Sequence, residues 1–251
     1  MKKKILILGG GYSKERSISI RSAKAIIKTI DKTYQYSDIG YYIFKDIIER
    51  KTKSDFKDFL SQQFYNQLGL NTMGFLPKNR FDRSRIVPTE FDYYFRSQLL
   101  QGDVHDMGAA MLGGVGGHAG LFSNANDLGI FMQMLLQKGY YGGERYFNNY
   151  TVDQFTKCQF CKYENRRGAG FDKAVLEGQE GGPACDCSPS SEAFGHSGFT
   201  GTLVWADPYE QLVYVFLSNR IHPTSENKKL LEIDVRTKIM QVIYDAIRTV
   251  N

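Results

Sequence analysis

Apolar residues recur along this chain at helical and strand spacings, and the switch between them predicts the elements. Lys4 to Leu8 is a short apolar run stopping at Gly9-Gly10-Gly11, which reads as a buried strand entering a tight turn. From Ser17 to Ile30 the residues Ile20, Ala23, Ile26, Ile27 and Ile30 keep helical spacing, with basic residues between them. A second stripe, Ile39, Tyr42, Ile43, Ile47 and Ile48, predicts a helix over 38–51. A third helix is expected over 54–68, closed by Gly69 just past its end. Residues 70–122 hold no sustained period and are rich in Gly, Pro and Asn, so long ordered loops are expected. Ser123 or Asn124 can cap a helix over 126–138, where Leu128, Phe131, Met132 and Leu135 share a face. The stretch 158–195 reads as loop again.

The clearest strand pair comes next. Residues 201–206 and 211–218 flank Asp207-Pro208-Tyr209-Glu210, a turn sequence with proline at a favoured position. Residues 227–249 then predict a long amphipathic helix on Leu230, Leu231, Val235, Ile239, Val242, Ile243 and Ile247. No internal repeat is found. The expected fold is α/β of the α+β type, an antiparallel sheet covered by helices.

Composition narrows the class. At 251 residues, 42% hydrophobic and 24% charged, the chain can form one large domain or two small ones. Those proportions exclude a disordered tail, a collagen-like fibre and a coiled coil. No apolar run approaches the roughly 20 residues of a spanning helix, so no membrane partner is expected. Only Ile5 to Leu8 follow Met1-Lys2-Lys3-Lys4, short of the roughly 7–15 apolar residues of a secretory signal. As written, the chain is expected in the cytoplasm.

The net charge of +5 is unevenly spread: residues 1–33 carry +7 and the other 218 carry −2. A basic arm can neutralise phosphates. Tyr12 is its lone aromatic before Tyr34, so it offers no base-stacking platform, and a Lys-rich amphipathic helix accounts for it without nucleic acid. The break in composition at 31–34 suggests two segments, 1–33 and 34–251.

Three motifs suggest chemistry. Phe194-Gly195-His196-Ser197-Gly198-Phe199-Thr200-Gly201-Thr202 stands directly before the hairpin. Glycines beside small hydroxyl residues there let a substrate backbone come close. Tyr36-Ser37-Asp38 opens one helix, and Gly117-His118-Ala119-Gly120-Leu121-Phe122-Ser123 precedes another. Together with the closing strands, these resemble the penicillin-recognising serine hydrolases, the family of class C β-lactamases and DD-peptidases, over about residues 34–247. Within that family the likeness is to the module fused behind family-3 glycoside hydrolases in some bacteria.

The resemblance implies a β-lactamase/transpeptidase-like fold, incomplete at its N-terminal part, and acyl transfer on β-lactam, ester or D-Ala-peptide substrates without any required cofactor. In that family a serine of Ser-x-x-Lys attacks the acyl carbon, a tyrosine of Tyr-x-Asn shuttles its proton, and a Lys-Thr-Gly or His-x-Gly strand binds the substrate carboxylate. Carried over, Tyr36 is the general base, Asp38 stands where Asn is usual, and His196, Ser197, Gly198, Phe199 and Thr200 bind substrate, with the Phe199 N–H an oxyanion donor. A tyrosine base needs nearby cations to lower a pKa near 10, and an ionised Asp38 opposes that.

The nucleophile motif is missing before Tyr36; the match Ser54-Asp55-Phe56-Lys57 falls inside the third expected helix. A truncated, weakly active or inactive hydrolase is therefore expected, with a non-catalytic module binding cell-wall peptide or sugar as the alternative. Family members are usually periplasmic or exported. Residues 1–30, through the run from Lys4 past Glu15 to Ser19, resemble the opening of D-alanine–D-alanine ligases, which makes 1–33 a ligase-like strand, glycine loop and helix, or else they form a generic strand, turn and helix.

The cysteines leave a further alternative open. Cys158-x-x-Cys161 and Cys185-x-Cys187 fit a four-thiolate structural zinc site of a stabilised interaction domain, or disulfides or free thiols. His105, His118, His196 and His222 lack helical metal-ligand spacing and are read as packing or substrate contacts. The partners expected are a small-molecule or peptidoglycan-like substrate and, where a missing helix leaves apolar surface, a second copy in a homo-oligomer.

Overall fold

The computed structural model describes residues 36–176, 182 and 189–250. The chain divides into two units, Met1–Ser37 and Asp38–Asn251. Of the first, Tyr36 and Ser37 are described. The ligase-like segment and the basic helix expected over 17–30 lie outside the described residues, as do Cys185 and Cys187.

The second unit is built on an antiparallel sheet. It comprises β5 (Phe194–Ser197), β6 (Leu203–Asp207) and β7 (Leu212–Phe216), in that order. The register pairs Gly195 with Trp205 and Trp205 with Tyr214. Alternation along β6 then sorts the two faces. Val204 and Ala206, with Phe194 and Val213, face a cluster holding Met132, Leu135 and Leu136 of α4 (Ala125–Leu136). Leu203 and Trp205, with Tyr214, face Met240 and Tyr244 of α7 (Val235–Val250). A helix on each face of an antiparallel sheet is the architecture the patterning predicts. Burying Trp205, Leu203, Met132 and Met240 contributes roughly 1.5–3 kcal/mol per side chain.

Local chemistry sets the boundaries. Asn124, rather than Ser123, caps α4, its Oδ1 accepting from the Asp127 N–H at 2.8 Å. That helix ends where Lys138 and Gly139 turn left-handed, at φ 55° and 86°. The first stripe forms α1 (Ile39–Thr52). The next helix, α2 (Phe56–Leu60), begins two residues after Ser54 and continues as a wider turn to Tyr65. Ser54 thus stands outside the helix that the sequence assigns to it. Gly69, at φ 71°, closes the segment as expected. The long terminal helix is in fact two: α6 (Lys229–Glu232) and α7, separated at Asp234, whose φ of 51° cannot continue a right-handed helix.

The loop expected over 70–122 holds small elements of its own, the hairpin of β1 (Phe91–Asp92) and β2 (Gln98–Leu99) and the short α3 (Met107–Met111). After α4 come a second hairpin of β3 (Tyr140–Tyr141) and β4 (Glu144–Arg145), and α5 (Asn149–Thr156), which the patterning did not predict. Buried Asp127 anchors one loop to α4, its Oδ2 accepting from Thr72 N, Thr72 Oγ1 and Met73 N at 2.6–3.1 Å.

Asp207, fully buried at the end of β6, makes the most connected polar contact of the core. Its Oδ1 accepts from Ser190 Oγ at 2.5 Å, Tyr209 N at 3.0 Å and Glu210 N at 3.4 Å. Its Oδ2 accepts from Ser190 N at 2.9 Å and from Tyr244 OH at 2.8 Å. Burial, and secondarily the bond to Asp207, pushes the Tyr244 phenol far up from its ordinary pKa. Removing that hydroxyl alone, with Tyr244→Phe, is expected to cost about 1–3 kcal/mol. The measurement is the urea midpoint at unchanged m-value, and an unshifted midpoint would show that Asp207 does not depend on this donor.

Candidate active site

The site is built around β5 and the turn that follows it. Gly195 must be glycine for space: a Cβ there would lie 2.1 Å from the Val204 carbonyl oxygen and 2.4 Å from the indole of Trp205. The bare backbone lets Trp205 fill the core directly beneath the strand. After Ser197 the chain reverses within five residues, with Gly198 N donating to Thr202 O at 2.8 Å and Gly201 N to Gly198 O at 3.0 Å. Gly201 sits at φ 110°, a backbone region that L side chains avoid.

His196 is held on both ring nitrogens. Nδ1 lies 2.8 Å from Ser197 O and Nε2 lies 3.1 Å from Arg167 Nη1. A guanidinium can only donate, so Nε2 is the acceptor, and the proton on Nδ1 donates to the Ser197 carbonyl. Arg167 is itself paired with buried Asp172 at 3.2 Å, and Arg166 binds the same carboxylate at 2.8 and 3.1 Å. Asp172 also exchanges backbone bonds with Gly195, its N–H to Gly195 O at 2.7 Å and the return bond at 3.0 Å. The resulting chain runs Asp172, Arg167, His196, Ser197.

That backbone exchange defines the outer edge of β5. Gly195 spends its N–H and C=O on the side away from β6. Since strand groups alternate in direction, the Ser197 N–H falls on the same edge. No described residue accepts from the N–H of Ser197 or of Phe199. Phe199 is 61% exposed, stacked on His105 at 5.2 Å and covered by the Arg220 guanidinium at 4.7 Å.

Lys173 holds the approach to β5 from inside. Only 6% exposed, it donates through Nζ to Thr156 O at 3.0 Å, Ala193 O at 2.8 Å and, more distantly, Glu192 O at 3.4 Å. These are carbonyls. Burial lowers its pKa to about 8, against a smaller upward pull from Glu192 and Asp207.

Tyr36 belongs to the first unit. Asp38 precedes α1, its carbonyl accepting from Tyr41 N at 2.9 Å, while its side chain makes no capping bond. Burial first, then the charges of Asp106 and Asp38, raise the pKa of Tyr42, so Asp38 acts on a neighbouring phenol in the direction opposite to base activation. α1 docks on Gly117 and Gly108, where a Cβ would come within 2.4 Å of Tyr41 O and 2.0 Å of Tyr42 OH. His118 is a packing residue: its Nε2 donates to Asp106 at 2.8 Å and its ring lies 4.5 Å from Tyr42. Burial opposes the Asp106 charge, but the Ala109 N–H and His118 outweigh it and hold that carboxyl below its usual range.

Ser54 and Lys57 form no nucleophile–base pair. Ser54 Oγ donates to Asp55 O at 3.5 Å, and Lys57 Nζ is bound to Asp58 at 2.8 Å with Asp55 at 3.8 Å. Of the four zinc candidates, Cys158 and Cys161 are joined to each other as a disulfide, so neither offers a thiolate in this state. Among the described residues no three His, Cys, Asp or Glu converge as metal ligands. The sequence reading missed Arg166, Arg167, Asp172, Lys173 and His105 as a group. The adjacent arginines were the available signal, but their partners lie 5 to 30 residues away.

Residues 14–236 match the sequence profile of a family described as Beta-lactamase. The chain belongs to this β-lactamase family. The match begins within residues 1–33, the segment read as ligase-like. A candidate D-alanyl-D-alanine carboxypeptidase from Salmonella typhi is 32% identical over 242 residues, covering 89% of this chain and 54% of the relative. A protein of the same description from Salmonella newport matches equally. The chain thus spans about half the length of the curated relatives it matches. Two solved structures share the fold. A β-lactamase from Mycobacterium bovis has a TM-score of 0.56 at 18% identity, covering 85% of this chain and 64% of that one. A penicillin-binding protein homologue from Caulobacter crescentus has a TM-score of 0.51 at 18% identity, covering 79% and 58%.

The buried lysine gives a pH signature independent of ligand. Between about pH 8 and 10.5 the unfolded chain holds a proton on Lys173 that the folded chain has lost, so stability rises with pH across that window. The slope is at most about 1.4 kcal/mol per pH unit. The expected outcome with Lys173→Met is loss of this rise in urea titrations between pH 7.5 and 10.5. An unchanged pH dependence would assign the rise to other groups.

Proposed function

We propose that this domain recognises the acyl end of a short, extended D-alanyl-peptide-like chain along the open edge of β5, and that none of its described serines is set up as an acyl-transfer nucleophile. The observation that carries the reading is the pair of unmatched N–H groups at Ser197, the last residue of β5, and at Phe199 in the turn that follows, next to an edge position already taken by Asp172. An edge of this kind binds extended ligands through main-chain bonds, with side-chain groups adding specificity. Arg167 beside His196, and Arg220 over Phe199, supply positive charge where a carboxylate or a polarised acyl oxygen would sit. Asp172 fixes the first and the Thr200 carbonyl the second, through the Arg220 N–H at 3.1 Å. The absence of a set-up nucleophile is supported by Lys57, which is engaged by Asp58 rather than by Ser54. Membership of the family, and relatives described as D-alanyl-D-alanine carboxypeptidases, support the choice of peptide.

Calorimetry with N-acetyl-D-alanyl-D-alanine, and intact mass after exposure to benzylpenicillin, test both halves. Peptide binding without hydrolysis and no covalent adduct are expected, with Tyr36→Phe changing neither. Phe199→Pro, which removes one N–H, should weaken binding about 10- to 100-fold. A penicilloyl adduct would overturn the second half of the proposal. Absence of peptide binding, or full affinity in Phe199→Pro, would overturn the first.

A further inference from the structure

We infer that His105 is a positioning residue for the β5 turn: clamped by Glu90, it stacks on Phe199 and fixes the backbone N–H that the ligand is to meet. The inference rests on the recognition edge proposed above, which it deepens by naming what holds that edge in place. A phenylalanine that is 61% exposed, in a turn with two glycines, has little packing of its own to hold it. Two groups hold it instead: the imidazole of His105, 5.2 Å between ring centres and 23° from parallel, and the Arg220 guanidinium, 4.7 Å from the same ring. Stacked and cation–π contacts of this kind each resist ring displacement.

The imidazole is not free to follow the phenyl ring. Its Nε2 donates to Glu90 Oε2 at 2.5 Å, and Glu90 Oε1 accepts from Ser225 N at 2.6 Å. Although burial opposes the charge of Glu90, the bonds from His105 and Ser225 outweigh it and hold its carboxyl below the usual range. The backbone of His105 is held as well. Arg96 donates to His105 O at 2.8 Å and Val104 O at 2.6 Å, while its Nε binds Asp92 at 2.7 Å. Asp92 in turn accepts from Tyr94 N and Phe95 N at 3.1 and 2.8 Å. The turn after β5 is therefore braced by a loop about a hundred residues earlier, through one ring. Such bracing converts a mobile donor into a preorganised one, so less order is lost on binding.

Two readouts on the ¹⁵N-labelled chain separate this inference from the recognition edge itself. The first is the order parameter of the Phe199 amide, which needs no ligand. It is expected near 0.85 in the parent chain, to fall toward 0.6 in His105→Ala, and to recover partway in His105→Phe, which keeps the stack but not the Glu90 bond. The second is affinity for N-acetyl-D-alanyl-D-alanine, expected to weaken about 3- to 10-fold in His105→Ala and to be restored within about twofold in His105→Phe. Glu90→Gln retains the shape of the clamp without its charge and serves if His105→Ala does not fold; it should lower the order parameter partway.

An unchanged Phe199 amide in His105→Ala, or in Glu90→Gln where that variant stands in, overturns the positioning role, whatever the peptide does. Equal losses in His105→Ala and His105→Phe also overturn it, since the stack would then not be the cause. If the amide responds as expected but the peptide binds no variant, the positioning role stands and the recognition edge falls.

Discussion

A single carboxylate, Asp207, ties together the parts on which the site depends. Taking an ionised group out of water is costly, and the cost is offset here by five donors converging on two oxygens. Two of them belong to the β6–β7 turn, two to Ser190 on the approach to β5, and one to Tyr244 on α7. The sheet's turn, its terminal helix and the segment feeding the recognition strand are thereby fixed to one point. None of the three can move without leaving a buried charge short of a donor, so hairpin, helix and β5 are coupled more tightly than apolar packing alone would make them.

The remaining buried polar groups work outward from that point, each holding loop to scaffold. Asp127 pins the turn at Thr72 to α4, Asp172 gathers two arginines against β5, and Lys173 gathers carbonyls from α5 and from the residues before β5. The site itself lies on loops, where ligand-contacting groups are usually found, but these loops are tied down by charge-assisted bonds at their bases. Lys173 is the exception. With carbonyls as its partners it is protonated at a cost, which is why stability rises as it gives up its proton.

How much of this was legible beforehand follows from the range of the interactions. The β6–β7 hairpin was readable because Asp207-Pro208-Tyr209-Glu210 specifies its own turn, and α1 and α4 because their apolar stripes are local. The strand carrying His196 to Phe199 was found through its motif rather than its pattern: glycines at 195 and 198 interrupt the apolar run. The break at Asp234 was hidden, since the stripe of apolar residues continues across it and only the backbone reverses hand. Asp127, Asp172 and His105 were invisible as anchors because their partners lie far away in sequence or are backbone groups, which carry no residue label. The Cys158–Cys161 pairing was one of several chemistries that the spacing allowed, and geometry selected it.

The backbone bridge between Asp172 and Gly195 has one more consequence. An exposed strand edge is a template for other chains, and proteins that keep one open run a risk of edge-to-edge aggregation. Here the edge of β5 is capped at Gly195 by Asp172 and is turned away after Ser197 by the tight loop through Gly198 and Gly201. What is left is too short to seed a strand of neighbouring protein, yet long enough for a small peptide end. The same two boundaries that size the opening for a ligand guard it against self-association.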